Sequence, residues 1–350
     1  MGGNALKHLS PVRLSSAEVV DLSHHLHRLW QLVAPSCLYL VPWIASKRDH
    51  GDVDVIAEID GDPTSVVHHF ARLLGADPAA IVRNGTVFST PVPVPWDAQR
   101  LVQVDLISCA PEAAPMMRFF YAGGDFGMLL GRVAAWHGLV FGMDGLRYRA
   151  DADAPWQRDV LLSRDPAQIL HLLGYGPPPF FDTYPTLWRY IIDGPMAGAW
   201  MFLPTATNAE NRSRDRQRRM IGEFQEWVAA TYPDRLTAPT PRATPAQARA
   251  WVAAHCPWID LTAELSRQEA AWTETKARVR ALGLAAVEDV VADGVDMAAR
   301  GAVIRAMQRH LPPPAARAAI MDDPQRRSDL EHLARVAARL CARELGLPLR

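Results

Sequence analysis

The run His50-Gly51-Asp52-Val53-Asp54-Val55-Ile56-Ala57-Glu58-Ile59 constrains this chain more than any other segment. Its β-branched residues favour an extended strand. Its apolar side chains fall on both faces, an imperfect alternation of the kind found near the buried centre of a sheet. Such a strand needs neighbours on both edges, so the N-terminal part is committed to a sheet. The strand also begins with two acids. Residues i and i+2 of a strand share a face, which puts the Cβ atoms of Asp52 and Asp54 roughly 6–7 Å apart at ~3.3 Å rise per residue. Carboxylates held that way can bridge two divalent cations about 3.5–4 Å apart. Oxygen-only ligands favour Mg²⁺ or Mn²⁺ over zinc.

A third acid completes such a group. Gln103-Val104-Asp105-Leu106-Ile107 reads as a strand with one acid among apolar and β-branched residues. If it lies beside the first strand, Asp105 joins the same cluster. Two further Asp-x-Asp pairs, Asp60/Asp62 and Asp151/Asp153, sit in turn-forming surroundings instead. The plain alternative for Asp52 and Asp54 is a solvated strand entrance.

The expected fold is α+β: a small mixed β-sheet with helices, followed by a mostly helical C-terminal part. Ser15 or Ser16 caps a helix reaching about residue 33. Strand-like runs follow at 37–44, 53–59 and 101–107, with helices at 64–74 and 125–136. Asn84-Gly85 between apolar pairs predicts a tight hairpin turn. Beyond 150 the expected helices are 165–173, 186–192, 208–230, 245–255, 261–282, 297–310 and 326–345, with a Pro/Thr-rich linker at 234–245. The expected domains are 1–150, carrying the acids, a helical part at 151–235 with an arginine-rich helix, and a helical region at 236–350.

Composition narrows the partners. The net charge of −1 gives no overall field toward nucleic acid or a membrane. Cys37, Cys109, Cys256 and Cys341 form no Cys-x-x-Cys pair, which argues against a structural zinc site or a secreted disulfide framework. The most apolar stretch, residues 128–143, contains Arg132 and His137 and is too short to span a bilayer. With a polar N-terminal segment, the expected location is cytoplasmic, with no membrane partner. The oligomeric state is not legible.

Several segments resemble the DNA polymerase beta-like nucleotidyltransferase superfamily, in particular members in phages and large DNA viruses. They are Gly2-Gly3 followed by Val12-Arg13-Leu14, Ser46-Lys47 leading to His50-Gly51-Asp52-Val53-Asp54-Val55, the strand around Asp105, and Gly124-Asp125-Phe126-Gly127-Met128-Leu129-Leu130-Gly131. The arginine-rich helix over 211–227 belongs to the same likeness, which covers about residues 1–230. The resemblance implies that Asp52 and Asp54 hold two metal ions, that Asp105 helps deprotonate an acceptor hydroxyl, and that Ser46 contacts the triphosphate of an NTP. Ser46 stands nearer the acids than the family's small-residue pair does and lacks the preceding glycine. Lys47 and Arg48 are candidate phosphate partners, and Gly51 allows close approach of a phosphate to the backbone.

Arg212, Arg216 and Arg219 share one helical face at i, i+4 and i+7 and could grip a triphosphate or an RNA backbone. The bland reading is an exposed arginine face. Gly123-Gly124-Asp125-Phe126-Gly127 lacks the Lys-Ser/Thr of a phosphate loop and reads as a turn in which Asp125 caps a helix and borders the nucleotide. His24, His25 and His27 read as surface histidines, and His50 as a possible orienting group. The function expected is transfer of a nucleoside monophosphate from an NTP to a hydroxyl of an RNA 3′ end, a protein or a small molecule. A metal-dependent nuclease using the same acids and a non-catalytic RNA-binding or scaffold protein remain as alternatives.

Overall fold

The computed structural model describes residues 5–350 apart from 152, 155–156, 204–208, 217, 238–240, 313–315, 318–319 and 321–322; the side chains of 209–211, 214, 219, 279 and 324–325 are likewise left out. Gly2-Gly3 lies outside the described residues. The chain forms two compact units, residues 1–150 with 159–259, and residues 151–158 with 260–350.

In the first unit β1 (Leu14–Ser15) leads straight into α1 (Ser16–Trp30). The Ser15 hydroxyl accepts from the Glu18 amide and the Glu18 carboxylate accepts from the Ser15 amide. This capping box satisfies two donors that a helix start leaves without partners. Val19, Leu22, Leu26 and Trp30 form its buried stripe. The next strand, β2 (Leu38–Leu40), is shorter than the expected 37–44 run. Val41 N–H still bonds the Asp54 carbonyl at 3.0 Å, but Pro42 has no N–H to continue the ladder. Then come β3 (Asp49–His50), paired with β1, and β4 (Val53–Glu58). Asp62 caps α2 (Pro63–Leu73) by accepting from the Thr64 amide.

The hairpin of β5 (Val82–Asn84) and β6 (Val87–Val94) pairs Asn84 with Val87. Its two loop residues are therefore Gly85 and Thr86, one position later than the expected Asn84-Gly85 turn. Gly85 alone of the two has a positive φ, 61°, so glycine takes the first central position of a II′-type turn. The long β7 (Asp97–Cys109) completes a five-stranded mixed sheet of order β2-β4-β7-β6-β5. One face carries Val53, Val55, Val102, Val104, Leu106, Phe88 and Val92 against α1 and α2. On the other face Ile56, Val87, Ile107 and Cys109 pack beneath α3 (Ala114–Tyr121).

After α4 (Phe126–Trp136) the chain makes a second, antiparallel sheet from β8 (Leu139–Gly142), β9 (Gly145–Tyr148) and β10 (Val160–Ser163). None of its strands was among those expected: β8 and β9 fall in the part expected to mix helix and strand, and β10 in the part expected to be helical. Gly145 is required in it: its φ is +118°, and a Cβ there would sit 2.3 Å from the Ser163 carbonyl oxygen. The remaining elements of the unit are α5 (Pro166–Leu172), α6 (Tyr184–Ile192), α7 (Ala209–Arg216), α8 (Arg219–Thr231) and α9 (Pro245–His255). The single helix expected over 208–230 is thus two. Trp188, Phe224 and Trp227 pack ring against ring between α6 and α8.

The second unit is built on α10 (Leu261–Val290), α11 (Met297–Met307) and α12 (Pro324–Glu344). The expected end of α10 at 282 precedes Gly283, yet the helix runs through it. The core mixes small and larger residues, including Ala286, Ala334, Ala337 and Ala338 with Val287, Val303 and Met307, so these helices approach closely. Among the described residues no helix is long and apolar enough to cross a membrane.

Trp30 is fully buried, meets Phe70 edge-on at 5.1 Å and donates its indole N–H to the Ser36 carbonyl. Trp30→Ala should cost about 3–5 kcal/mol, read as an earlier urea midpoint for the first unit. A loss below about 1 kcal/mol would show that this stripe does not organise the core.

Candidate metal centre

The pairing of β4 and β7 is parallel, with Asp54 directly opposite Asp105. On the next strand Ser89 of β6 is opposite Asp105. Partners on adjacent strands face the same way at about 4.8 Å spacing. Asp52, two residues before Asp54, extends the row. One carboxylate oxygen from each of Asp52, Asp54 and Asp105 lies within 4.8 Å of the other two. Asp52 and Asp105 are buried and Asp54 is half-buried.

Three carboxylates this close resist ionising together. Burial, followed by the charges of Asp52 and Asp105, pushes the Asp54 carboxyl up to about 7. Burial also raises Asp105, opposed by hydrogen bonds from Ser89 and Gln103. The Gln103 amide donates to both Asp105 oxygens, at 2.9 and 3.1 Å, while its own oxygen accepts from the Leu6 amide. Ser89 and Gln103 were missed at the sequence level. The available signal was position: Gln103 is at i−2 from Asp105, hence on the same strand face. A dry, oxygen-only donor set whose members disfavour one another's charge fits a hard divalent cation.

The segment leading to the acids is firmly held. The Ser16 hydroxyl donates to the Lys47 carbonyl at 2.7 Å and lies 3.1 Å from His50 Nε2. The His50 ring meets Trp43 edge-on at 4.7 Å. Burial, helped by Lys47, pushes His50 down to about 4, so it is neutral at physiological pH. Ser46 and Arg48 are exposed, the Ser46 amide donating to the Asp182 carbonyl at 2.8 Å. The Lys47 ammonium is close enough to favour ionisation of Asp54. The space over Gly51 is taken by Arg13, whose Nη1 would lie 2.6 Å from a Cβ there. Arg13 Nε also holds Asp49 at 2.5 Å. It is a cation beside the acids that residue typing alone did not single out.

Asp125 occupies the cap position of α4 but makes no side-chain cap bond. Its carboxylate instead receives Arg218 Nη1 at 2.6 Å. This corrects the capping expectation. The arginine-rich stretch is interrupted at Arg218, the N-cap of α8, whose side chain reaches Asp125. The face expected to run from Arg212 through Arg216 to Arg219 therefore stops at the end of α7. Arg212 is half-buried, Arg216 is exposed, and the Arg219 side chain lies outside the described residues. Asp215 is held by Arg132 at 2.5 Å, both side chains being mostly buried. Among the described residues, His24, His25 and His27 belong to no group of metal-type ligands.

No family model matches the sequence, and no curated protein matches it. Among solved structures, the chain is similar to polymerase beta of Leishmania infantum in a ternary gap complex, at 15% identity and a TM-score of 0.34 over 40% of this chain and 53% of that one. It is also similar to the same polymerase in a ternary P/T complex, at 16% identity and a TM-score of 0.34 over 40% of this chain and 60% of that one. The chain thus spans little more than half the length of these structures.

The raised Asp54 pKa sets a pH dependence. The folded state holds a proton that the unfolded chain releases near 3.8, so stability falls as pH rises from there through about 7. In metal-free protein, thermal unfolding should come earlier across this window, and Mg²⁺ should restore most stability above it. Asp54→Asn should remove the Asp54 contribution to the slope. An unchanged slope in that variant would show that Asp54 ionises without strain.

Proposed function

We propose that this chain is a metal-dependent nucleotidyltransferase that moves a nucleoside monophosphate from an NTP to a hydroxyl group. The observation that carries the reading is the Asp52, Asp54 and Asp105 group itself, three acids from two parallel strands within ligand distance of one another. The polymerase beta-like sequence resemblance agrees with it.

In this reaction the acceptor oxygen attacks the α-phosphorus, the bond to the β-phosphate breaks and pyrophosphate leaves. Asp52 and Asp54 would hold Mg²⁺ or Mn²⁺, which would supply positive charge to offset that developing on the attacking and leaving oxygens. Asp105 would orient the acceptor hydroxyl and help take its proton. Ser89 and Gln103 keep that carboxylate aimed. Lys47, and Arg13 above Gly51, supply positive charge near the triphosphate, with Ser46 and Arg48 on the same exposed loop. Asp125 is engaged by Arg218 and borders this region at most. Of the expected arginine face, Arg212 and Arg216 on α7 remain the candidates for a phosphate chain, either the triphosphate or an RNA backbone. The acceptor is an RNA 3′ end, a protein side chain or a small molecule.

Incubation with each labelled NTP, Mg²⁺ or Mn²⁺, and total RNA or protein extract should label one acceptor class. Asp52→Asn and Asp54→Asn should each reduce transfer at least roughly a hundredfold with an unchanged circular dichroism spectrum. Undiminished transfer in either variant would overturn the assignment. RNA cleavage without NTP would replace it with a nuclease.

A further inference from the structure

In the second unit the chain leaves α11 through a single 3-10 turn, Gln308–His310. That turn brings His310 to the last turns of α12. Cys341 and Glu344 are there at i and i+3, hence on one helix face. An imidazole nitrogen, a thiol sulfur and a carboxylate oxygen from these three residues all lie within 4.8 Å of one another. We propose that His310, Cys341 and Glu344 bind one zinc-class divalent cation, with solvent as the fourth ligand, and that the ion clips the end of α11 to α12.

The donor set selects the ion. A thiolate disfavours Mg²⁺ and Ca²⁺, while imidazole and carboxylate beside it suit Zn²⁺ better than soft Cu⁺. Tetrahedral zinc with these ligands separates their donor atoms by about 3.4–3.6 Å, so the trio needs to close by little more than an ångström at most. Exposure is divided appropriately. His310 and Glu344 are exposed and leave an entry path, whereas Cys341 is fully buried and reaches the ion from the core side. Arg309 is 3.7 Å from Glu344 across an exposed pair, a contact weak enough for a metal to displace. A search for paired cysteines passes over this site because it takes a single ligand of each kind.

Cobalt(II) titration of the full-length, chelator-stripped protein tests the proposal. A thiolate-to-cobalt charge-transfer band should grow in the near ultraviolet, saturate at one equivalent and bleach on adding Zn²⁺ but not Mg²⁺. Cys341→Ala should abolish it. His310→Ala and Glu344→Gln, both at exposed positions, should require roughly tenfold more Co²⁺ or higher. Asp54→Asn should leave the band unchanged, since the carboxylate group in the first unit offers no sulfur. Absence of the band, its survival in Cys341→Ala, or wild-type cobalt affinity in both His310→Ala and Glu344→Gln would overturn the site.

Discussion

The parallel pairing of β4 with β7 puts Asp54 opposite Asp105, and the candidate site depends on that register. Parallel neighbours cannot be joined by a tight turn; they need a crossover. Here the connection consists of α2 and the β5–β6 hairpin. A slip of one residue in either strand would send its acid into the apolar layer beneath α1 and α2. Such a slip would also expose Val53, Val55, Val104 and Leu106, all now buried there. The hydrophobic layer on one face therefore fixes the arrangement of charge on the other.

Holding three acids together has a cost, visible in the raised pKa values of Asp54 and Asp105. The protein meets it with neutral donors, Gln103 and Ser89, on the acids' own sheet face. Lys47 and Arg13 add positive charge from segments tied down by the β1–β3 pairing and by Ser16. In the proposed reading a divalent ion relieves the repulsion that remains.

Much of this architecture was legible from local pattern. The cap at Ser15, the stripe through Leu22 and Leu26, and the acid-led strand at 53 are short-range signals, and each appears close to its expected place. What was not legible depends on distant partners. β8 and β9 are four residues each, too short for alternation to distinguish from the end of a helix, and they exist because they pair with each other and with β10. At the break between α7 and α8, Arg218 pairs with Asp125, 93 residues earlier in the chain, a contact that no helical periodicity can reveal. In the acid group, spacing could place Asp52 beside Asp54, but the adjacency of Asp105 depended on strand order. Gln103, on the same strand as Asp105, was open to the i−2 rule, whereas Ser89 became visible only once β6 and β7 were in register.

X-ray diffraction at the manganese absorption edge, from crystals grown with Mn²⁺ and a non-hydrolysable NTP, tests the central claim most directly. The account predicts two anomalous peaks about 3.5–4 Å apart, bounded by the carboxylates of residues 52, 54 and 105. Peaks elsewhere with none at these acids, or a protein cation seated among the three carboxylates, would contradict it.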